Sequence, residues 1–193
     1  MIFKIITLGL MAAFYSCYFA KMISQRKKGI STDQLGKGKT GLEKFIEVTL
    51  KISTYVLPII QFISILCYIG TAHIALRIIG CVITAVGVLT FILSVAQMKD
   101  NWRAGVQRED KTNLVTTGIY SISRNPAFLG FDLMYIGILF TFFNWYLFFA
   151  TGFVLLFFHL QIVNVEEEFL IEAFGEEYIK YRAKVCRYIG RKL

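Results

Sequence analysis

Cysteine and histidine are too few and too scattered in this sequence to build a disulfide framework or a metal centre. The chain has four cysteines and two histidines: Cys17, Cys67, Cys81, Cys186, His73 and His159. No two of these cysteines are closely spaced, so we interpret them as free thiols in mostly apolar surroundings. Neither residue type shows the spacing of zinc ligands, and no metal site is expected.

Acidic residues and long polar stretches are also scarce. The 193 residues are 56% hydrophobic, with a mean hydropathy of +0.59, which exceeds that of soluble domains and is typical of a polytopic membrane protein. The net charge of +8 comes from basic residues that flank apolar runs, as topology signals do. Nucleic acid is therefore not an expected partner.

The apolar runs predict an all-α bundle of about five transmembrane helices. Three runs each hold one span: Met1–Ala20, Phe45–Thr71 and Ala75–Gln97. A signal peptide is the rival interpretation of the first run, but it lacks a small-residue cleavage site. The fourth run, Phe128–Val163, is too long for one span, and we expect Asn144–Trp145 to turn it into a re-entrant helical hairpin.

Loop charges predict the orientation of the bundle. Lys21–Lys44 carries seven basic residues against two acids, which places it in the cytoplasm beside anionic lipid, whereas the turn near Arg77 lies outside. Met98–Asn125 and both ends of the hairpin then face the cytoplasm. With no organelle signal in the sequence, a prokaryotic inner membrane is the expected location.

The residues after the hairpin predict an amphipathic helix on the cytoplasmic surface, interrupted near Gly175. Its apolar positions recur every three or four residues: Leu170, Phe174, Tyr178, Tyr181 and Val185. Glu166–Glu168 before it is open to two interpretations, part of a site or a solvated helix start.

We divide the chain into N-terminal helices, 1–97, and a site-bearing part, 98–193, within one integrated membrane domain.

Polar residues at both ends of the hairpin should meet at one membrane surface, and this is the candidate site. Met98–Asn125 offers side-chain amides and a turn at Gly118 whose backbone N–H groups are free for a ligand, although an ordinary polar connection fits the same composition. Trp102 is expected to anchor at the membrane interface. For Asp132 a site role and a structural role are equally open, and His159 is better explained as a satisfied interior residue.

Four sequence blocks together resemble the superfamily of isoprenylcysteine carboxyl methyltransferases and phospholipid methyltransferases. In chain order they are Leu114–Tyr120, Arg124–Gly130, Glu166–Glu167 and Phe174–Tyr178. The similarity runs from Trp102 to about Arg187.

The resemblance implies a membrane-embedded methyltransferase with S-adenosylmethionine as cofactor and a lipophilic acceptor, a carboxylate or an amine, entering from the bilayer. Arg124 and Glu167 would lie nearest to the reacting groups, with Glu167 as first candidate for a base. The residues expected around the cofactor are Gln107, Thr112, Asn113, Leu114, Val115, Gly118, Tyr120, Asn125, Pro126, Ala127, Phe128 and Glu166.

Two positions depart from the family pattern. Asn125 stands where the family usually has histidine, so proton transfer near neutral pH is not available there. Ile162 stands where the prenylcysteine enzymes have an arginine thought to meet the acceptor carboxylate, which weakens the case for a prenylcysteine acceptor.

A membrane NADPH-dependent reductase of the sterol type and a non-catalytic protein with the same fold remain alternatives. The acceptor and the oligomeric state stay open.

Overall fold

The computed structural model describes residues 1–70, 72–106 and 113–192. These residues form six α-helices: α1 (Ile2–Lys27), α2 (Gly41–Leu66), α3 (Ile74–Met98), α4 (Pro126–Thr141), α5 (Trp145–Gln161) and α6 (Glu167–Lys184). Two short 3₁₀ turns (Lys99–Asn101 and Gly118–Ser121) and a π-turn (Ile162–Glu166) complete the secondary structure of the described residues.

Four helical stretches are long and apolar enough to cross a membrane: Ile2–Lys27, Gly41–Leu66, Ile74–Asn101 and Trp145–Lys184. In the last stretch the apolar residues belong to α5, whereas α6 is rich in charged residues. Helix α4 is apolar but has only 16 residues, so it rises about 24 Å, less than the ~30 Å hydrocarbon core of a bilayer. The expected all-α membrane bundle of about five apolar helices is confirmed.

The hairpin of α4 and α5 turns at the predicted place. Asn144 caps α5, because its side-chain oxygen accepts a hydrogen bond from the Leu147 N–H at 2.9 Å. The same amide donates to the Ser64 hydroxyl at 2.9 Å, near the end of α2. The turn is therefore tied to the neighbouring helix, and α5 runs antiparallel to α2.

Glycines let α3 and α4 pack with their backbones in close contact. The four residues at this contact are Gly80, Gly87, Gly130 and Gly137. A Cβ atom on Gly87 would lie 2.5 Å from the backbone nitrogen of Met134, so no larger residue fits there without moving a helix. Small residues that allow such an approach are common between membrane helices. This contact holds the N-terminus of α4 against the end of α3.

Aromatic rings fill the bundle near one end. The Phe14 ring on α1 stacks on Phe91 of α3 with centroids 4.3 Å apart, and it meets Phe131 of α4 edge-on at 4.7 Å. Trp102 packs edge-on against Phe91 and is only 3% exposed. The expectation that Trp102 anchors at the membrane interface is wrong, because the chain after α3 folds back onto the bundle.

We call this end, with residues 28–40, 99–106, 113–125 and 162–192, the polar end of the bundle. Its loops pair with one another: the Gln34 N–H donates to the Ala104 carbonyl at 2.8 Å, and the Ala104 N–H donates to the Thr32 carbonyl at 2.9 Å. The Gln25 amide donates to the Trp102 carbonyl at 2.8 Å. The loop between α1 and α2 thus lies against the segment that follows α3.

Two helices have bounds that differ from the predicted spans. Helix α1 continues past Ala20 to Lys27, and α2 occupies Gly41–Leu66 rather than Phe45–Thr71. Both extend at the polar end because long basic side chains can keep their stems along the helix while their charges reach the polar phase. The third span was predicted to within one residue at each end.

Helix α5 continues into α6 through the π-turn without a break. The interpretation of Glu166–Glu168 as a solvated helix start is therefore wrong, since preceding helical residues already satisfy those backbone N–H groups. The predicted interruption at Gly175 is confirmed: this residue has φ +50° inside α6, a conformation that glycine adopts readily.

Candidate functional site

A first pocket lies at the polar end and has an empty volume of about 870 Å³, counted to its open mouth. Its wall combines the segment after α3, the start of α4, the end of the π-turn and α6. The lining residues are Met98, Asn101, Trp102, Arg103, Gly105, Val106, Asn113, Leu114, Val115, Tyr120, Arg124, Asn125, Ala127, Phe128, Glu166, Phe169, Leu170, Phe174, Tyr178 and Tyr181.

A second pocket adjoins the first and is mainly apolar, with an empty volume of about 1120 Å³. It lies between α1, α2, α4 and α5. Its lining residues are Tyr15, Tyr18, Phe19, Asp33, Leu35, Leu50, Lys51, Thr54, Tyr55, Pro58, Trp102, Arg103, Ala104, Gly105, Ala127, Phe128, Phe131 and Phe158. Phe19 and Tyr55 are exposed side chains, so the pocket reaches the flank of the bundle.

The two pockets share a wall. Five residues line both of them: Trp102, Arg103, Gly105, Ala127 and Phe128. A polar-end pocket and a flank pocket thus meet at the first turn of α4.

Nine of the predicted site residues line the first pocket: Asn113, Leu114, Val115, Tyr120, Arg124, Asn125, Ala127, Phe128 and Glu166. All but Glu166 lie between Asn113 and Phe128, and the hairpin of α4 and α5 brings Glu166 to them. Tyr120 is held there by its hydroxyl, 2.7 Å from that of Ser94 on α3, and by its carbonyl, which accepts from the Tyr181 hydroxyl at 2.6 Å.

The other predicted site residues do not line this pocket or are not described. Gly118, with φ +61°, turns the chain beside Gln97, and Pro126 is the first residue of α4. Glu167 lies behind the pocket wall. Gln107 and Thr112 lie outside the described residues.

Adjacent glutamates face different surroundings. Glu166 points to the first pocket, and among the described residues its carboxylate has one hydrogen-bonding contact, the Gln161 amide nitrogen at 3.5 Å. Glu167 is only 4% exposed and is bound by two guanidinium groups. Arg124 lies 2.9 Å from its Oε1 atom, and Arg187 donates to both oxygens at 2.8 and 2.9 Å. The Glu167 carboxylate in turn raises the pKa of the Arg187 guanidinium.

Arg124 is held at the pocket wall through two of its three guanidinium nitrogens. Its Nη1 atom donates to the Tyr178 hydroxyl at 2.8 Å, and its Nη2 atom contacts Glu167. Its Nε atom is buried without a hydrogen-bond partner. An unpaired buried guanidinium nitrogen is costly, and a ligand with an acceptor atom would satisfy it.

The last residues of the chain hold the start of α4, which sequence reasoning missed. The Arg124 N–H donates to the Cys186 carbonyl at 3.1 Å, the Asn125 side chain donates to the Arg187 carbonyl at 3.1 Å, and the Gly190 N–H donates to the Ile122 carbonyl at 2.8 Å. Residues 185–192 therefore form a strap between α6 and the segment that carries Arg124. No sequence motif indicates backbone contacts of this kind.

Sequence reasoning also missed several lining residues. Leu170, Phe174, Tyr178 and Tyr181 were identified as the apolar face of a surface helix, and Phe174 and Tyr178 also as the ends of one family block. None of the four was predicted to line the site, yet this face closes the first pocket. The helical spacing was the available signal, and only the fold shows that the face covers a pocket rather than lipid.

Asp132 and His159 lie outside both pocket linings. The His159 Nδ1 atom is 2.7 Å from the Tyr188 hydroxyl, a partner supplied by the strap. One Asp132 carboxylate oxygen is buried without a hydrogen-bond partner. Across residues 1–70, 72–106 and 113–192, no group of three or more His, Cys, Asp or Glu side chains could hold a metal ion.

Residues 74–177 match the sequence profile of a family described as phospholipid methyltransferase. This segment spans α3 to α6 and most of the first pocket. It exceeds half of the chain.

The chain is also similar to proteins named protein-S-isoprenylcysteine O-methyltransferase. It is 28% identical over 152 residues to the Saccharomyces cerevisiae protein, covering 78% of this chain and 62% of the yeast protein. It is 31% identical over 80 residues to form B from Arabidopsis thaliana, covering 42% of this chain and 41% of the plant protein. The matches thus span less than two thirds of the length of these relatives.

Proposed function

We propose, since this chain belongs to the phospholipid methyltransferase family, that it transfers a methyl group from S-adenosylmethionine to a lipophilic or amphipathic acceptor. The observation that carries the proposal is the shared wall of the two pockets. A polar-end pocket suited to a charged cofactor adjoins a flank pocket suited to a membrane-dissolved molecule. We therefore name the first the donor pocket and the second the acceptor pocket.

Two features of the donor pocket fit S-adenosylmethionine. The buried Arg124 Nε atom offers an unpaired donor, and the cofactor carries a carboxylate and hydroxyl groups that can accept from it. The Glu166 carboxylate lies in the wall with one weak contact among the described residues, and a carboxylate at this place suits a positively charged ligand.

When bound, S-adenosylmethionine supplies an electrophilic methyl group on a positively charged sulfur. The contribution of this chain is to hold both partners in line and to exclude water from the reacting atoms. Trp102, Ala127 and Phe128 at the shared wall present mainly apolar surface there. The acceptor would approach through the flank of the bundle, between α1 and α2.

Glu167 fits a structural role better than that of a general base. Its two oxygens already bind two guanidinium groups, and a carboxylate paired in this way has little tendency to take up a proton. We infer that Glu167 holds Arg124 at the wall of the donor pocket. A carboxylate acceptor needs no base, because it is already nucleophilic.

The orientation follows from loop charge. The loop between α1 and α2 at the polar end is strongly basic, so the donor pocket faces the cytoplasm by the positive-inside rule. Cytoplasmic S-adenosylmethionine would then enter directly.

Calorimetric titration of the detergent-purified protein tests this function. We expect saturable binding of S-adenosylmethionine and S-adenosylhomocysteine, and no binding of reduced nicotinamide dinucleotide phosphate. Binding of the nicotinamide alone would overturn the proposal in favour of a reductase. Failure of all three to bind would favour a protein that keeps the fold without catalysis.

A further inference from the structure

A buried carboxylate on α2 lies outside both pockets and is fully compensated. Glu47 has no exposed surface. Its Oε2 atom accepts from the Gly36 N–H at 2.6 Å, and its Oε1 atom accepts from Lys39 and from the Gln161 amide at 2.9 Å. A charge at such depth is tolerated only with this degree of hydrogen bonding. The loop between α1 and α2 is thereby joined to the end of α5.

Gln161 connects this carboxylate to the donor pocket. It is fully buried at the end of α5, and the nitrogen that donates to Glu47 lies 3.5 Å from the Glu166 Oε1 atom. In π-helical geometry, residues five apart lie above one another, so the π-turn aligns Gln161 with Glu166. Within the described ranges, no other side chain is within hydrogen-bonding distance of the Glu166 carboxylate.

The amide of Gln161 is not explained by packing alone. Its Oε1 atom is buried without a hydrogen-bond partner, which costs free energy that an apolar side chain of similar size would avoid. Compared with an apolar side chain, the Gln161 amide supplies a nitrogen that lies near two carboxylates. Its hydrogen bond to Glu47 is short and fixes the orientation of the amide, and its contact with Glu166 is longer.

We propose that Gln161, fixed by Glu47, is a positioning residue that directs the Glu166 carboxylate into the donor pocket. This inference rests on the proposed function. It also gives the loop between α1 and α2 a role, because Gly36 and Lys39 hold Glu47 in place. These three residues precede the segment that matches the family profile.

The test replaces Gln161 by leucine and compares it with a matched variant. Gln61 is also a fully buried glutamine, but neither of its amide atoms has a partner, and it lies about 21 Å along α2 from Glu47. We expect Gln161→Leu to weaken S-adenosylhomocysteine binding about tenfold, while Gln61→Leu binds as the unsubstituted protein does. Thermal unfolding of both variants identifies any general loss of structure.

A double variant that combines Gln161→Leu with Glu166→Gln distinguishes a role of Gln161 in positioning Glu166 from a role in packing. If Gln161 acts through Glu166, the double variant binds S-adenosylhomocysteine no more weakly than Glu166→Gln alone. Additive losses, or unchanged binding in Gln161→Leu, would overturn the inference and leave the proposed function intact. If the unsubstituted protein itself fails to bind, the proposed function fails instead.

Discussion

The donor and acceptor pockets draw on different parts of the chain. Every residue that lines the donor pocket lies between Met98 and Tyr181, and nearly all of them fall within the segment that matches the family profile. More than half of the acceptor pocket lining comes from α1, α2 and the loop between them, before that segment begins. The segment shared with the family thus forms most of the donor pocket, whereas much of the acceptor pocket is built from residues that precede this segment.

The acceptor pocket can therefore be altered through residues that the donor pocket does not use. The α1 and α2 residues that line the acceptor pocket make no hydrogen bond to Arg124 or Glu166 within the described part of the chain. The two regions still depend on each other, because the shared wall and Glu47 connect them. Four substitutions test how far they are separable.

Gly87→Leu should have the largest effect of the four, a loss of stability. It would force α3 and α4 apart, and the packing of these helices positions residues of both pockets. The new Cβ atom would meet the backbone of α4, and we expect a loss of about 3 kcal/mol in the free energy of unfolding. Gly152→Leu is the control, since a Cβ at that glycine of α5 meets no atom within 4 Å. Thermal unfolding in detergent measures both. Equal stability of the two variants would contradict the packing described for α3 and α4.

Glu166→Gln should affect the donor pocket alone. Removing a charged partner of the ligand costs about 1.5–3 kcal/mol, which corresponds to roughly 10- to 100-fold weaker S-adenosylmethionine binding. Glu168→Gln, on the exposed side of α6, should bind normally. Calorimetry compares the two, and the assignment of Glu166 does not survive if both variants bind equally.

Thr54→Trp should affect the acceptor pocket alone. The indole would fill part of the pocket from α2, so we expect the KM for the acceptor to rise about tenfold while S-adenosylhomocysteine binding stays unchanged. Ile52→Trp places the same ring on an exposed face of α2 and serves as the control. A loss of donor binding in Thr54→Trp would show that the two pockets are not separable.

Arg187→Lys should have the smallest effect of the four, a loss of stability caused by weaker binding of the strap, residues 185–192, to Glu167. Lysine cannot reproduce the two parallel hydrogen bonds to Glu167, and Arg187 is partly exposed, so we expect a loss of about 1 kcal/mol in stability. The control is Arg182→Lys, at a half-buried position of α6. Urea unfolding followed by tryptophan fluorescence measures the stability of both variants. If Arg187→Lys loses no more stability than Arg182→Lys, the Arg187–Glu167 contact does not stabilise the strap.

Much of the fold was predictable because its signals are local. Apolar runs of about 20 residues and the turn at Asn144 indicate the helices and the hairpin without tertiary information. The motif blocks around Arg124 and Glu166 indicated two halves of one site. Trp102 was misassigned, because an aromatic residue after an apolar helix has the same local pattern whether it faces the interface or folds back onto the bundle.

The amino-acid sequence by itself determined the class of this protein, the order of its helices and nine of the residues that line the donor pocket, because length, apolarity and motif spacing are properties of neighbouring positions. Only the tertiary structure decided that Glu166 faces the pocket while Glu167 binds two guanidinium groups. The same holds for the acceptor pocket and for the contact between Glu47 and Gln161. The physical reason is that helix packing brings together side chains more than 100 positions apart, and no local pattern encodes that distance.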